Sequence, residues 1–406
     1  MTRKPRVLVS TILPSPGGVN TMTGYVVKSL RALGLEPVIA YYQPYSLSPE
    51  LSVPSFRLLQ RTVGEVEGRA FDGCESHAIG AWMPELEFTH YFATRHWRRL
   101  MDSCDAHVSV AGNVLAATAF WQSGRPFVAW VATDWAGDRK DRVREFSLPR
   151  RIIDRWVNAP FLRRYERRLL NAGTVLALSE YTARTLEAVA GPAFRVSILP
   201  MPVDAARFRP APCATVPRRI GFSGRIDDPR KNIQLLLQAL ALLCQSDETV
   251  SALLIGGTPT QATLAMVEQV GLTGRIRFVP HVSSAEMPAL LQTLDVFVLP
   301  SHQEGLCIAA LEAMACGVPV VSTRCGGPEE FVIPGQTGLL VDFDAAQMAQ
   351  AVQSILVDPA LRAHLSLGAR RIVEARHTYR RAESVFASAL RATFPHLPVN
   401  ASLSSP

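Results

Sequence analysis

Short apolar runs alternate with longer amphipathic stretches along nearly the whole chain. Runs at 7–13, 37–41, 107–110, 126–132 and 175–179, and again at 219–224, 250–255, 276–279, 294–299, 318–323 and 336–341, read as strands of a buried parallel sheet. Between them, 22–33, 114–121, 161–170, 181–190, 233–243, 306–315, 345–356, 359–375 and 380–393 carry helix formers at helical spacing. Strand followed by helix, repeated, predicts an α/β fold with helices covering both sheet faces. A Pro/Ala-rich stretch at 210–217 separates the two series and marks a domain boundary, giving domains 1–200 and 201–379. Residues 42–99 fit the alternation poorly. Pro44, Pro49, Pro54 and Pro84 interrupt short strand-like pieces, and a helix is expected over about 90–103. Trp82, Phe88, Tyr91, Phe92 and Trp97 read there either as core or as a stacking surface for a ring.

Composition narrows the class. With 406 residues, 48% hydrophobic and 19% charged, the chain is globular and long enough for two full cores. Its seven cysteines are scattered, odd in number and without a C-x-x-C pair, which argues for reduced thiols in a cytosolic protein and against a zinc site or disulfide framework. Basic residues before Val7 imitate a signal peptide, but the apolar run ends at Pro14 without a small-residue cleavage site. No window approaches the ~20 apolar residues of a membrane span. Of the net charge of +7, residues 138–168 carry +6, from 11 basic and 5 acidic residues. One reading is a solvated helix pair whose arginines pair with Asp141, Glu145, Asp154 and Glu166. The other is a contact with an anionic membrane through Arg150, Arg151, Trp156, Phe161, Arg163 and Arg164, in a helix that Pro160 interrupts.

The densest chemistry lies between 294 and 330. The 294–299 strand runs into Pro300-Ser301-His302-Gln303-Glu304-Gly305, and helix formers begin at Leu306-Cys307-Ile308. A helix opening directly after a strand offers unpaired N–H groups and partial positive charge, and Gly305 lets an anion, expected to be a diphosphate, approach the backbone. Glu304 and Glu312, eight residues apart, stand about two turns or ~12 Å apart along the axis, one before the helix and one inside it on a similar face. Two carboxylates flanking a diphosphate suit the hydroxyls of the two sugars it joins. Taken singly, Glu304 reads more readily as a side chain that favours the helix dipole and Glu312 as a solvated helix residue. At the carboxyl end of the 219–224 strand, Arg225 and Lys231 flank a turn where two cations can neutralise a diphosphate without a metal. Asp227 and Asp228 between them read as caps rather than metal ligands. After the first strand, Gly17-Gly18 occupies the turn where βαβ units hold a phosphate.

The Glu304-x7-Glu312 pair, the following Ala313-Met314-Ala315-x-Gly317-x-Pro319-Val320-Val321 and the Gly326-Gly327-x-x-Glu330 turn closely resemble the donor-site signature of the family-4 retaining glycosyltransferases. Gly224-Arg225, Lys231-Asn232, Gly17-Gly18 and Ser179-x-Tyr181-Thr182-Ala183 extend that resemblance over most of the chain, most strongly across 219–342. It implies the GT-B fold, two facing Rossmann-like domains with a cleft between them. The first would be the acceptor side, the second would bind the nucleotide sugar, and the 380–393 helix would cross back to the first. It also implies site roles: Glu304 beside the transferred sugar, Glu312 on the ribose, and Arg225 and Lys231 on the diphosphate. Gly17 and Gly18 would face that diphosphate, as would the helix start at Gly305, Leu306, Cys307 and Ile308, while Val282 would lie by the base. The family needs no cofactor and no metal. Two departures stand out. Many members have a His at the end of the 126–132 strand, where this chain has Thr133-Asp134 as the sugar contact, and Met201-Pro202 replaces the usual Asn-Gly of the hinge.

On that resemblance the chain is expected to be a cytoplasmic, retaining, metal-independent hexosyltransferase. It would move a sugar from a UDP- or GDP-sugar to a hydroxyl of a glycan, lipid-linked or small-metabolite acceptor, the leaving phosphate taking the acceptor proton. A GT-B-fold nucleotide-sugar epimerase and a non-catalytic nucleotide-sugar-binding subunit are the alternatives, the latter suggested by the missing His. Peripheral contact of 139–168 with the inner face of a membrane goes with a lipid-linked acceptor, and no nucleic-acid partner is expected. A dehydrogenase fits less well, because Gly17-Gly18 lacks the G-x-G-x-x-G spacing.

Overall fold

The chain divides into two compact units, Met1–Leu199 with Glu383–Pro406, and Pro200–Ala382. The structure, a computed structural model, describes residues 3–13, 17–71, 73–139, 143, 147–211, 218–280, 282–283 and 285–399. The turn at 14–16, most of the 210–217 linker, His281, and the pairings expected of Asp141 and Glu145 lie outside those residues.

The first unit is built on strands β1 (Arg6–Thr11), β2 (Glu36–Tyr42), β3 (Glu65–Ala70), β4 (Cys74–Ile79), β5 (Ala106–Ala111), β6 (Val128–Val131), β7 (Thr174–Ala177) and β8 (Ser197–Ile198). Their order is β3-β4-β2-β1-β5-β6-β7-β8, parallel except for the β3–β4 hairpin. Val7 pairs with Pro37 on one side and Ala106 on the other, so β1 and β5 form the switch point where the sheet begins to grow the other way. Buried on both faces, β1 and β5 have the apolar continuity that made them legible.

Residues 42–99 resolve into the β3–β4 hairpin and a helix over Arg95–Ser103, later than the expected start near 90. His77 braces the hairpin, its Nδ1 2.7 Å from Glu65 Oε1 and its Nε2 2.8 Å from Glu75 Oε1. The aromatic residues of this stretch are mostly core. Trp97 is fully buried with Phe120 and Phe127, and Trp82, Phe88 and Tyr91 pack against the same cluster. The 114–121 helix divides into a 3₁₀ turn, Val114–Ala117, and a short helix, Thr118–Gln122.

Pro160 does not break the basic segment. Helix Leu148–Ile153 passes through a π turn, Asp154–Asn158, into helix Ala159–Leu170 without interruption. A proline lacks the amide hydrogen and crowds the carbonyl four residues back, and the wider turn just ahead of it relieves both demands. Past the last helix the chain packs as far as Val399: Phe394, Leu397 and Val399 are buried, and His396 Nε2 lies 3.0 Å from the Asp105 carbonyl oxygen.

The second unit holds β9 (Arg219–Ser223), β10 (Ser251–Ile255), β11 (Ile276–Val279), β12 (Val296–Leu299), β13 (Val320–Thr323) and β14 (Gly338–Val341), all parallel, in the order β11-β10-β9-β12-β13-β14. Its switch point falls between β9 and β12. Helices Ile233–Ser246 and Ala345–Val357 pack Leu236, Leu240, Val352 and Ile355 into the core. Among the described residues no helix is long and apolar enough to cross a membrane.

Trp97→Ala empties one of the two fully buried tryptophan sites of the first unit and is expected to cost about 3–5 kcal/mol. Chemical denaturation followed by tryptophan fluorescence checks this, and a loss below about 1 kcal/mol would show that the cluster is not packed as described.

Candidate functional site

In the second unit the chain leaves the paired strands β9 and β12 into two adjoining turns at their carboxyl ends, the usual ligand edge of an open parallel sheet. From β9 come Gly224, Arg225 and the 3₁₀ turn Pro229–Lys231, and from β12 come Ser301 and Glu304. Lys231 Nζ lies 2.6 Å from Glu304 Oε1, and Ser301 Oγ donates to the same oxygen at 2.6 Å. The His302 amide donates to the Arg230 carbonyl at 2.8 Å, joining the turns backbone to backbone. Glu304 is only 8% exposed, and its amide donates to the Cys325 carbonyl at 2.8 Å. Burial works against the Lys231 ammonium, but the Glu304 carboxylate, with smaller help from Asp228, outweighs it and raises the lysine's pKa. The ammonium therefore stays protonated.

Asp228 organises the cations. It accepts from the Arg230 amide at 3.0 Å as the cap of the 3₁₀ turn, from Arg230 Nε at 3.1 Å, and from the Arg225 guanidinium. Burial alone would raise its pKa, but hydrogen bonding and charge from Arg230, with Arg225 behind, bring it down to about 2. The cap reading of Asp228 thus holds, with the addition that it aims two arginines. Glycines let these turns crowd together. A Cβ on Gly256, at φ +106°, would stand 2.8 Å from the Gly224 carbonyl oxygen, and one on Gly327 would stand 2.1 Å from that of Gly305.

The helix after β12 is Ile308–Ala315, beginning two residues later than expected because Cys307 adopts left-handed geometry at φ +67°. Gly305, Leu306, Cys307 and Ile308 therefore form its approach and first turn. This helix has no side-chain cap and no acid in its first turn, and Asn232, left-handed at φ +48°, gives helix Ile233–Ser246 an equally uncapped start. Elsewhere in the unit Thr260, Asp344 and Asp358 cap their helices with side-chain oxygens. Two helix starts at the switch point thus present their positive ends without answering them from their own caps. Burial pushes the Cys307 thiol far up and leaves it protonated. Glu312, half-buried within the helix, is pushed up to about 7 by burial, with Arg207 opposing. Val282 is half-buried just beyond β11, at the sheet edge.

The remaining candidates belong to the first unit. Gly17, at φ +117°, caps helix Gly18–Ala32 after β1, and its carbonyl accepts from the Asn20 amide at 3.1 Å. Beyond β6 the Thr133 amide donates to the Gly112 carbonyl at 2.8 Å, and Asp134 accepts from the Gly137 amide at 3.0 Å, capping the short helix Trp135–Arg139. Glu166, expected as an arginine partner, instead accepts from the Trp135 amide at 2.6 Å. Burial pushes its carboxyl up to about 7, with Asp134 adding to the rise and Arg163 opposing. Asp154 does pair with Arg139. The structure thus gathers Arg225, Lys231, Glu304 and the 305–308 helix start in one unit and sets Gly17, Gly18, Thr133 and Asp134 at the carboxyl edge of the other's sheet. Ser301, Arg230, Arg207 and the clamping role of Asp228 were missed. The Asp228-Pro229 step signalled its cap, whereas the other three have no local signature.

A model described as Glycosyltransferase Family 4 matches residues 16–207, and one described as Glycosyl transferases group 1 matches 217–358. A GDP-mannose-dependent alpha-(1-6)-phosphatidylinositol monomannoside mannosyltransferase of Mycolicibacterium smegmatis is 34% identical over 53% of this chain and 61% of its own length. A D-inositol 3-phosphate glycosyltransferase of Salinispora arenicola is 35% identical over 44% of this chain and 45% of its own. The chain spans about half the length of the curated relatives it matches. In fold it is similar to the sucrose-phosphate synthase of Thermosynechococcus elongatus, with a TM-score of 0.73 at 20% identity over 97% of this chain and 100% of that one.

The raised carboxyl of Glu312 makes a signed prediction. Against an ordinary value of 4.5 when unfolded, it titrates near 7 when folded. Between those values the folded chain holds a proton that the unfolded chain has lost, so stability falls as pH rises through that window and the loss is complete above it. Glu312→Gln is expected to flatten this dependence in the second unit's unfolding and to raise its midpoint at alkaline pH. An unaltered slope would mean that the carboxyl is solvated.

Proposed function

The chain belongs to the family-4, group 1 glycosyltransferases of the GT-B fold, and we propose that it transfers a hexose from a nucleoside-diphosphate sugar, a UDP- or GDP-sugar, to an acceptor hydroxyl. The observation that carries this is the Lys231–Glu304 pair, held at 2.6 Å between the two turns of the β9/β12 switch point and beside uncapped helix starts. Cation, carboxylate and amide-rich helix start in one place match a sugar diphosphate group by group.

In this mechanism Arg225 and Lys231 stabilise the charge that develops on the departing diphosphate, with the 305–308 helix start adding backbone N–H groups. Asp228 keeps the Arg225 guanidinium aimed before the donor arrives. Ser301 and Lys231 occupy Oε1 of Glu304, and the second oxygen receives the hydroxyls of the transferred sugar. Glu312 receives the ribose and Val282 lies by the base. Transfer proceeds on the front face with retention, the leaving phosphate taking the acceptor proton, so no dedicated base is assigned. The cations take the role a divalent ion would otherwise fill, and no metal or cofactor is assigned. One relative is named for a phosphatidylinositol monomannoside acceptor and another for inositol 3-phosphate, which supports either a lipid-linked or a small polyol acceptor.

Incubation with a panel of UDP-, GDP- and ADP-sugars, following nucleotide release with and without candidate acceptors, is expected to select one nucleotide, to show acceptor dependence and to survive chelator treatment. The anomeric coupling in the product's proton spectrum is expected to match the donor's. An isomerised donor sugar without acceptor would instead mean epimerisation. Lys231→Ala and Glu304→Ala are each expected to lower turnover on the order of 10²–10³-fold. Each also strands a buried charge, so the double variant is expected to regain thermal stability without regaining activity. Near-native turnover in either single variant would defeat the assignment.

A further inference from the structure

The helical run from Leu148 to Leu170 has two faces of opposite character. Asp154, Asn158, Leu162 and Glu166 recur every four residues and are all buried. Leu148, Ile152 and Trp156 also recur every four residues, offset by two from the first set and so on the opposite side, and are 73%, 61% and 72% exposed. The inward face is tied down: Asp154 pairs with Arg139, the Asn158 side-chain oxygen accepts from the Glu87 amide at 3.0 Å, and Phe161 stacks on Phe88 at 4.8 Å. The π turn matters here, because it carries the run past Pro160 and leaves Ile152 and Trp156 on the same outward side.

Charge follows the same division. The two acids of 147–170, Asp154 and Glu166, are both buried, whereas Arg150, Arg151, Arg155, Arg163 and Arg164 are exposed. Arg155 also lies over the Trp156 ring at 5.9 Å. The apolar strip Leu148, Ile152 and Trp156 is exposed, ends in a tryptophan and has arginines along it. It fits a planar anionic interface, where tryptophan settles among head groups and arginines meet lipid phosphates.

We propose that the outward face of this helical run docks the first unit on an anionic membrane surface, lying in the interface plane without crossing it. This inference does not rest on the donor chemistry, and its test reads binding alone.

The purified chain is mixed at low salt with vesicles of phosphatidylcholine plus phosphatidylglycerol, or of phosphatidylcholine alone, and sedimented. Binding to the anionic vesicles only, lost at high salt and accompanied by a blue shift of emission absent from Trp156→Phe, is expected. Ile152→Ser with Trp156→Ser is expected to weaken binding at least tenfold. The Arg155→Ala, Arg163→Ala, Arg164→Ala triple variant is expected to weaken it on the order of 100-fold, at about fivefold per arginine. All substituted side chains are exposed, so melting curves should match the parent. Three results overturn the proposal: no sedimentation of the folded parent at low salt, equal binding by both variant sets, or self-association abolished by Trp156→Ser, which would place a second copy on this face.

Discussion

Glu304 and Lys231 form a charge pair that sits almost out of water, 2.6 Å apart, in turns that follow neighbouring strands yet come from distant parts of the sequence. Removing two charges from water costs several kcal/mol per ion, on the order of what their attraction returns, and the balance closes only with good geometry and further hydrogen bonds. Here Ser301 supplies one of those bonds, the Cys325 carbonyl fixes the Glu304 amide, and the Arg230 carbonyl ties His302 across the gap. Such a pair is a poor device for stability, since apolar side chains of equal volume do as well or better. What it provides is a cation and a carboxylate already in place when a ligand arrives, the condition under which fixed charges stabilise a transition state without reorganising.

The backbone around the pair bears a related cost. Asn232 and Cys307, both left-handed and neither glycine, stand at the starts of the two helices that open beside it. Strain of about 1–3 kcal/mol is typical for such positions, and it persists where the surroundings overdetermine the conformation. Here they do, because the tight approaches of Gly256 to Gly224 and of Gly327 to Gly305 leave the turns no alternative path. The same unit caps three other helices with Thr260, Asp344 and Asp358, so side-chain caps are available elsewhere in its sequence. A cap there would satisfy from within the amides that an anion is proposed to meet.

How much was legible follows from where the information lies. Strands such as β12, buried at every residue, are apolar throughout and could be read directly. β3 could not, since an edge strand reading Glu-Val-Glu-Gly-Arg-Ala is mostly exposed and has no apolar alternation. The helix after β12 was placed two residues early because Leu306 and Cys307 are acceptable helical residues, and nothing local announces that Cys307 turns left-handed. Pro160 was expected to interrupt its helix and does not, because whether a proline breaks a helix or is absorbed by a π turn depends on packing on both sides. At the site, Arg225, Lys231, Glu304 and Glu312 were legible because a motif carries them together. The Lys231–Glu304 contact spans 73 residues and exists only once β9 and β12 are paired. Ser301 could be recognised only through that contact.

Positive charge is handled in two distinct ways in this chain. Around the switch point each cation is tied to a carboxylate, Arg225 and Arg230 to Asp228 and Lys231 to Glu304, so little net field remains and direction is what survives. A small, multiply charged anion gains from direction, because it can replace or join each carboxylate at a set distance. Along 148–164 the balance is reversed: the one acid, Asp154, faces inward, and exposed arginines alternate with exposed Leu148, Ile152 and Trp156. That arrangement has little direction but a broad field of one sign, which suits an extended surface whose charges are many and mobile. Residues 138–168 carry almost all of the net +7 and none of the second unit's cations. The two proposed kinds of anion recognition therefore draw on separate residues, and each can be weakened by mutation without altering the other's charges.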